Sequence, residues 1–434
     1  MNQQNRRDQD DGPQANGEPM IDRRRLRLRG SSGRVGLRAV FAQPGYRRLW
    51  SARTVSQWGD VFATVALVLL VFDLTGSALG VSAVVFAEII PVLLLGPVAG
   101  TLVDRLPRVT VMVVADLWRA LLAIALIPLA DSVVAVYLVA FGLSVGAVLF
   151  NPAANSVLPA LVTEEELLAA NSGIWTAAVV SQIALAPLAG ILYVALGAGP
   201  AFGINAASFV LSAVLLVGLR LPAAPSRTQR HGFFADAAAG LRLLLADRLL
   251  RTLGAGQLLA ALSAGATSAL LVVLARDHLD LDPSGYGLLL GAIGVGAVLG
   301  PFLLTRLVSD PRRPLFVFGP YVLRGVVDIA LATFTALPVA LVALAVYGLG
   351  TSTGAVTFNS LLQAHIPEHA RGRIFASFDV LWQLGRLISL LLGGLLTAWL
   401  GIQSVYYLGG LLLLLAAGLG WWGLRSTSPT SKPA

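Results

Sequence analysis

Apolar runs of about 20 residues recur along the chain, separated by short polar breaks. Each is long enough to cross a roughly 30 Å hydrocarbon layer as a helix. The pattern predicts twelve spans, at about 51–72, 78–101, 109–130, 133–152, 168–196, 200–219, 252–275, 285–306, 314–335, 337–360, 374–399 and 402–424. The longest break, about 220–251, opens as a Pro/Arg/Ser linker. It then becomes amphipathic, with Leu241, Leu244, Leu245 and Leu249 on one side and Arg242 and Arg248 elsewhere. That pattern predicts a short helix lying at the membrane face. Residues 1–45 are polar and rich in Arg and Gly, and predict a disordered tail. Arg23, Arg24 and Arg25 are not followed promptly by a short apolar core, so no signal peptide is expected. Residues 425–434 form a second short tail.

The spans also repeat. At a shift of 204 residues, Gly96-Pro97 falls on Gly300-Pro301, Asn155-Ser156 on Asn359-Ser360, and Leu158 on Leu362. Ala160 falls on Ala364, Glu164 on Glu368, Gly190 on Gly394 and Gly197 on Gly401. One constant shift holds across three separate regions. The expected fold is therefore an all-α membrane protein of 12 transmembrane helices in two pseudo-symmetric six-helix bundles, 46–219 and 252–424, joined by the 220–251 linker. Repeats of this kind place a substrate path near the bilayer midplane, between the halves.

Composition agrees. The chain is 56% hydrophobic and 12% charged, with a mean hydropathy of +0.78, against roughly 25% charged in soluble domains. There is no cysteine, which excludes disulfides, thiolate metal sites and cysteine nucleophiles. The only lysine is Lys432, so no Walker-type phosphate loop is possible. The basic residues also set the orientation. With the N-terminus inside, 27 of the 31 Lys and Arg are cytosolic, Arg276 alone is outside, and Arg119, Arg324 and Arg386 lie within spans. Both termini are thus expected in the cytosol, and the net charge of +8 reflects the membrane surface rather than a nucleic-acid partner.

Ionisable groups at membrane depth are costly and usually functional. Asp116 and Arg119 stand three apart, and Arg324 and Asp328 four apart, so each pair shares a helix face. Asp379, Gln383 and Arg386 share another. Asp60 and Glu88 have no local partner. A carboxyl that is costly to keep charged exchanges its proton when water reaches it, so these two are the expected coupling groups. Glu88 has a competing reading, a pair with Arg119 or Arg386 across helices. Gln182 and Asn205 are further cavity candidates. So are Trp175, Trp382, Trp58 and Trp118 for an amphipathic or cationic organic substrate. His365-Ile-Pro-Glu368-His369 matches a zinc-peptidase pattern, but Pro367 interrupts the helix that such a site needs, and no metal is expected.

The segment GPVAGTLVDRLPR, residues 96–108, carries the most specific signal. Its Gly100, Asp104, Arg105 and Arg108 resemble the helix 2–3 signature of the major facilitator superfamily. Pro107 and Val109 depart from that signature. YRRLWSARTVSQWGD at 46–60, NPAANSVLPALVTEEELLAANS at 151–172, GYGLLLGAIGVGAVLG at 285–300 and HARGRIFASFDVLWQLGR at 369–386 resemble its bacterial enterobactin-exporter-like and macrolide-efflux-like branch. Gly96 and Gly100 offer a small-residue face for close helix approach. The resemblance implies that Asp104 contacts the helix start near Arg371 and Arg373 and latches a cytosolic gate. In the second half, GPFLLTRLVSDPRRP has Leu304 in place of the Gly100 equivalent, so the latch is expected to be asymmetric. The resemblance further implies a secondary exporter of small organic compounds in the cytoplasmic membrane, coupled to protons, monomeric and without a cofactor. A lysophospholipid, siderophore or other metabolite transporter, or a non-transporting sensor, is the alternative. An enzyme is not expected, since the spans hold neither His nor Cys.

Overall fold

A computed structural model describes residues 37–219, 221, 233–307, 314–366 and 368–425. Every regular element among them is helical. The first half comprises α1 (Leu37–Ala42), α2 (Pro44–Thr75), α3 (Ala78–Arg105), α4 (Arg108–Leu126), α5 (Val133–Leu161), α6 (Leu167–Leu196) and α7 (Gly199–Val217). The second comprises α8 (Phe233–Ala246), α9 (Arg248–Ala269), α10 (Leu271–His278), α11 (Pro283–Leu307), α12 (Pro314–Thr333), α13 (Leu337–His365), α14 (Glu368–Leu400) and α15 (Ile402–Arg425). Eleven of these are long and apolar enough to cross a membrane, and α9 with α10, bent by 48°, makes a twelfth span. Large apolar side chains stand exposed around the outside, such as Leu138, Val214 and Trp399. Such a surface is tolerable only against hydrocarbon.

The helices pair in the same way in each half. In the first, α2 packs on α6 and α7, α4 on α5 and α7, and α3 on α5. In the second, α9 packs on α14 and α15, α12 on α13 and α15, and α11 on α13. The repeat extends to single hydrogen bonds. Gly197 ends α6 at φ 75°, its N–H donating to Tyr193 O at 2.9 Å; Gly401 ends α14 at φ 82°, its N–H donating to Thr397 O at 2.9 Å. Glycine takes this left-handed stop without steric penalty.

One expectation is corrected: residues 37–45, expected in the disordered tail, are ordered as α1 and the start of α2. Within α1, Val40 is buried and Phe41 packs edge-on against Tyr46 and Trp50 at 5.3 and 5.0 Å. Apolar side chains beside the bundle fold onto it rather than remain in water. Residues 1–36 and 426–434 lie outside the described residues. The amphipathic helix exists as α8, and its inner face docks on the second bundle. Gly240 rests against the Arg373 backbone, where a Cβ would come within 2.0 Å of the carbonyl oxygen. Leu244 is buried with Leu250, Leu253 and Ile366, whereas Leu241 and Leu245 stay exposed. Asp247 caps α9 by accepting from Leu250 N–H at 2.8 Å. Partial burial alone would push the carboxyl up, but that N–H and His365 together hold it below its usual range.

Among the described residues the halves meet mainly through α6 on α11 and α3 on α14. These contacts sit at the end away from the termini, and small residues make them possible. A Cβ on Gly190 would stand 2.5 Å from Pro283 O, and one on Gly287 would stand 2.5 Å from Ala186 O. In the symmetry-related contact, a Cβ on Gly394 would stand 2.9 Å from Leu79 and Ser82 side-chain atoms. At the terminus-bearing end the described hydrogen bonds stay within one bundle: Arg53 to Asn155, Arg108 to Ser156 O, and His365 to Asp247.

Two outcomes follow from this packing. Gly287→Val should pry the seal apart; spin labels on Leu74→Cys and Asp280→Cys, free of cysteine background, should show a lengthened distance distribution in that variant. Asp247→Ala should speed amide exchange at the start of α9 about fivefold, the loss of a cap contribution of about 1 kcal/mol. Because the folded carboxyl is depressed, the wild-type advantage is complete above the usual carboxylate range and fades as pH falls below it.

Candidate functional site

Behind the seal, two cavities of about 320 and 340 Å3 lie on the inner side of the second bundle. They share Arg324, Thr351 and Trp382. The first is largely apolar, with Asp328, Tyr347 and Tyr406 as its polar marks. The second adds Gln257, Asn359, Asp379 and the rings of Tyr321, Phe358, Phe375 and Phe378. Aromatic walls with a few polar groups suit an amphipathic organic molecule.

The buried ions divide into partnered and unpartnered groups. Asp116 and Arg119 form the ion pair their spacing predicts, and Ser212 of α7 donates to the second carboxylate oxygen at 2.6 Å. Arg119 lies over the Phe150 and Phe209 rings, 4.8 and 4.2 Å from their centroids, and against Gly146. Both groups are almost fully buried, so this is a knot tying α4 to α5 and α7 rather than part of a cavity wall. Arg324 and Asp328 do not form the expected pair. The guanidinium turns to α13, donating to Tyr347 OH at 3.0 Å and lying 4.7 Å over that ring. The space for this exists because residue 350 is glycine: a Cβ there would stand 3.0 Å from Arg324 Cγ. Asp328 instead accepts from Ser263 OH at 3.4 Å.

Asp60 and Glu88 carry no side-chain hydrogen bond or ion pair among the described residues. Asp60 lies in the fields of Arg119 and Asp116, and Glu88 in those of Arg386 and Asp60. Glu88 on α3 therefore faces Arg386 on α14 across the divide between the halves, without closing a contact. Arg386 donates instead to its neighbour Gln383 at 3.4 Å. Asn205 is buried under Gly59, one residue from Asp60; a Cβ on Gly59 would come 2.7 Å from its Oδ1, which has no partner. Gln182 is half-buried on α6.

Other expectations separate. Trp382 lines both cavities. Trp118 does not: its ring stands half-exposed on an outer face beside Leu102 and Leu106, and its N–H donates to Gly142 O at 2.8 Å. Trp58 and Trp175 are half-exposed and border neither cavity. In the 96–108 segment, a Cβ on Gly96 would meet none of the described residues within 4 Å. Arg105 is exposed, and Arg108 donates to Ser156 O at 3.3 Å. The side chains of Asp104 and Arg371, and the surroundings of Gly100, lie outside the described residues. So do those of Glu368 and His369, while His365 is engaged by Asp247 at 3.1 Å. No metal-binding cluster occurs among the described residues.

Sequence reasoning missed the ionic part of the seal. Asp73 at the end of α2 pairs with Arg276 of α10 at 3.1 Å and accepts from Tyr193 OH of α6 at 2.7 Å. Among the described residues this is the ion pair that joins the two bundles, and in the sequence Arg276 is visible only as a lone outer base.

The two kinds of carboxyl predict different responses. Asp116→Asn should lose about 3–5 kcal/mol by leaving Arg119 buried without its counter-ion, read as a drop in melting temperature in detergent. Asp60→Asn should melt like wild type, since its side chain holds nothing in place.

The comparisons extend this picture. The transmembrane secretion effector family profile (MFS_3) matches residues 36–428. The chain is 29% identical over 388 residues to the uncharacterized MFS-type transporter YfiS of Bacillus subtilis, covering 86% of this chain and 91% of that one. It is 24% identical over 380 residues to macrolide efflux protein A of Streptococcus pyogenes (85% and 93%). It is 29% identical over 364 residues to multidrug efflux pump Tap of Mycobacterium tuberculosis (80% and 86%). Among solved structures, a bacterial homologue of the iron transporter ferroportin in an inward-facing state superposes with TM-score 0.72 at 19% identity, covering 87% of this chain and 98% of that one. The POT family transporter PepTSo gives 0.73 at 14% identity (88% and 98%). The chain belongs to the transmembrane secretion effector family of the major facilitator superfamily, in its macrolide-efflux-like branch, and is a membrane transporter rather than an enzyme.

Proposed function

We propose that this protein exports small amphipathic organic compounds of drug or antibiotic type across the cytoplasmic membrane, in exchange for protons. The observation that carries the reading is the pair of unbonded carboxyls, Asp60 and Glu88, beside the divide between the two bundles. The names of the relatives, a macrolide efflux protein and a multidrug efflux pump, support export of such compounds. The arginine distribution supports both termini in the cytosol; in this reading the end that carries the Asp73–Arg276 contact faces outward and the present state opens inward.

In this scheme the substrate enters from the cytosolic side and settles against Trp382, Phe375 and Tyr321. The bundles then rock: the Asp73–Arg276 contact opens, and water from outside reaches the two acids. Proton uptake there weakens the hold on a cationic or polar substrate group, which leaves. Return to the inward state releases the protons. Asp104, with Arg105 and Arg108, would latch the cytosolic end while it is closed. The transporter acts as a monomer and needs no cofactor.

Transport of a panel of dyes and antibiotics into everted vesicles tests this. Asp60→Asn and Glu88→Gln should each bring proton-driven uptake to near background while leaving the protein folded. Wild-type uptake in both variants, with continued dissipation of a pH gradient, would contradict the coupling assignment and favour lipid or metabolite movement on the same fold.

A further inference from the structure

A third cavity, of about 640 Å3, lies at the terminus-bearing end, outside the path described above. It is enclosed by α8, the start of α9, the end of α13 and the start of α14. Its polar lining is Arg242, Arg373, His365 and Asp247; its apolar lining includes Leu243 and Ile374. The one carboxylate among the described lining residues is already engaged, by His365 at 3.1 Å and by Leu250 N–H at 2.8 Å. Neither guanidinium has a hydrogen bond or ion pair among the described residues. Two arginines, each with five N–H donors, thus face one cavity with their donors unused. Leu241 and Leu245, exposed on α8 beside the cavity, supply an apolar surface next to the charge.

The geometry points to a binding site for the phosphate headgroup of an anionic phospholipid at this linker cavity. Paired guanidiniums recognise phosphate through several parallel N–H···O bonds. The cytosolic leaflet supplies anionic headgroups at this level, and basic pockets between helices there are suited to them. A soluble phosphate would use the arginines equally well but would leave Leu241, Leu243 and Leu245 in water. Acyl chains cover them, which selects the lipid as the occupant. A headgroup held between Arg242 on α8 and Arg373 on α14 would brace the linker against the helix that also carries Asp379 and Arg386.

Native mass spectrometry of the delipidated full-length protein tests this with dioleoyl-phosphatidylglycerol, dioleoyl-phosphatidylcholine and inorganic phosphate as separate probes. Wild type should retain phosphatidylglycerol in preference to phosphatidylcholine. Arg242→Gln with Arg373→Gln should weaken phosphatidylglycerol retention roughly thirtyfold, about fivefold for each lost charge. Arg242→Lys with Arg373→Lys should restore most of it, which separates lost binding from lost folding. Equal retention of both lipids by wild type, or unchanged phosphatidylglycerol retention in the glutamine pair, would overturn the proposal. So would arginine-dependent binding of inorganic phosphate without retention of phosphatidylglycerol, since the site would then belong to a soluble anion.

Discussion

Hydrocarbon offers a buried charge no hydrogen bond, so every ion at membrane depth must be answered from within the protein. That constraint organises this molecule. Asp116 is answered by Arg119 and Ser212, Arg324 by Tyr347, and Asp328 by Ser263. These knots sit inside a bundle and hold its helices to one another. Asp60, Glu88 and Asp379 carry no such partner among the described residues, and the first two lie in the electrostatic reach of charges that do not bind them. A half-buried, unbonded carboxyl beside the divide between the halves is the kind of group that the proposed coupling of protons to substrate requires.

The same economy shapes the contact between the halves. With lipid as apolar as leucine, helices gain little from hydrophobic association and rely on close van der Waals approach. Gly190, Gly287 and Gly394 permit it at one end, where Asp73, Arg276 and Tyr193 add an ionic clasp. This clasp is partly exposed, and exposed pairs contribute only about 0–1 kcal/mol. A weak clasp over a small-residue contact is a closure that can open.

Much of the architecture was legible because it depends on periodicity and repetition. Helix-length apolar runs gave the spans, and the 204-residue shift aligned glycines that turn out to end α6 and α14 and to line symmetry-related contacts. The spacing of Asp116 and Arg119 located a real pair. It failed for Arg324 and Asp328 because a helix face only makes contact possible, and Gly350 on another helix gave the arginine a better route to Tyr347. Arg119 and Arg324 occupy related places, each against a glycine of the next helix. They lie one residue off the repeat, which hid the relation. The clasp was illegible in principle: its partners are 120 and 203 residues apart, and no local pattern connects them.

The claim on which the rest stands is that Asp60 and Glu88 change protonation when substrate binds. Proton release can be followed directly with a pH-indicating dye in weakly buffered detergent solution, as a transported drug is added to the purified protein. Wild type should release protons in step with binding, and the Asp60→Asn, Glu88→Gln double variant should release none. Equal release from both proteins, or binding by wild type with no release at all, would contradict the account.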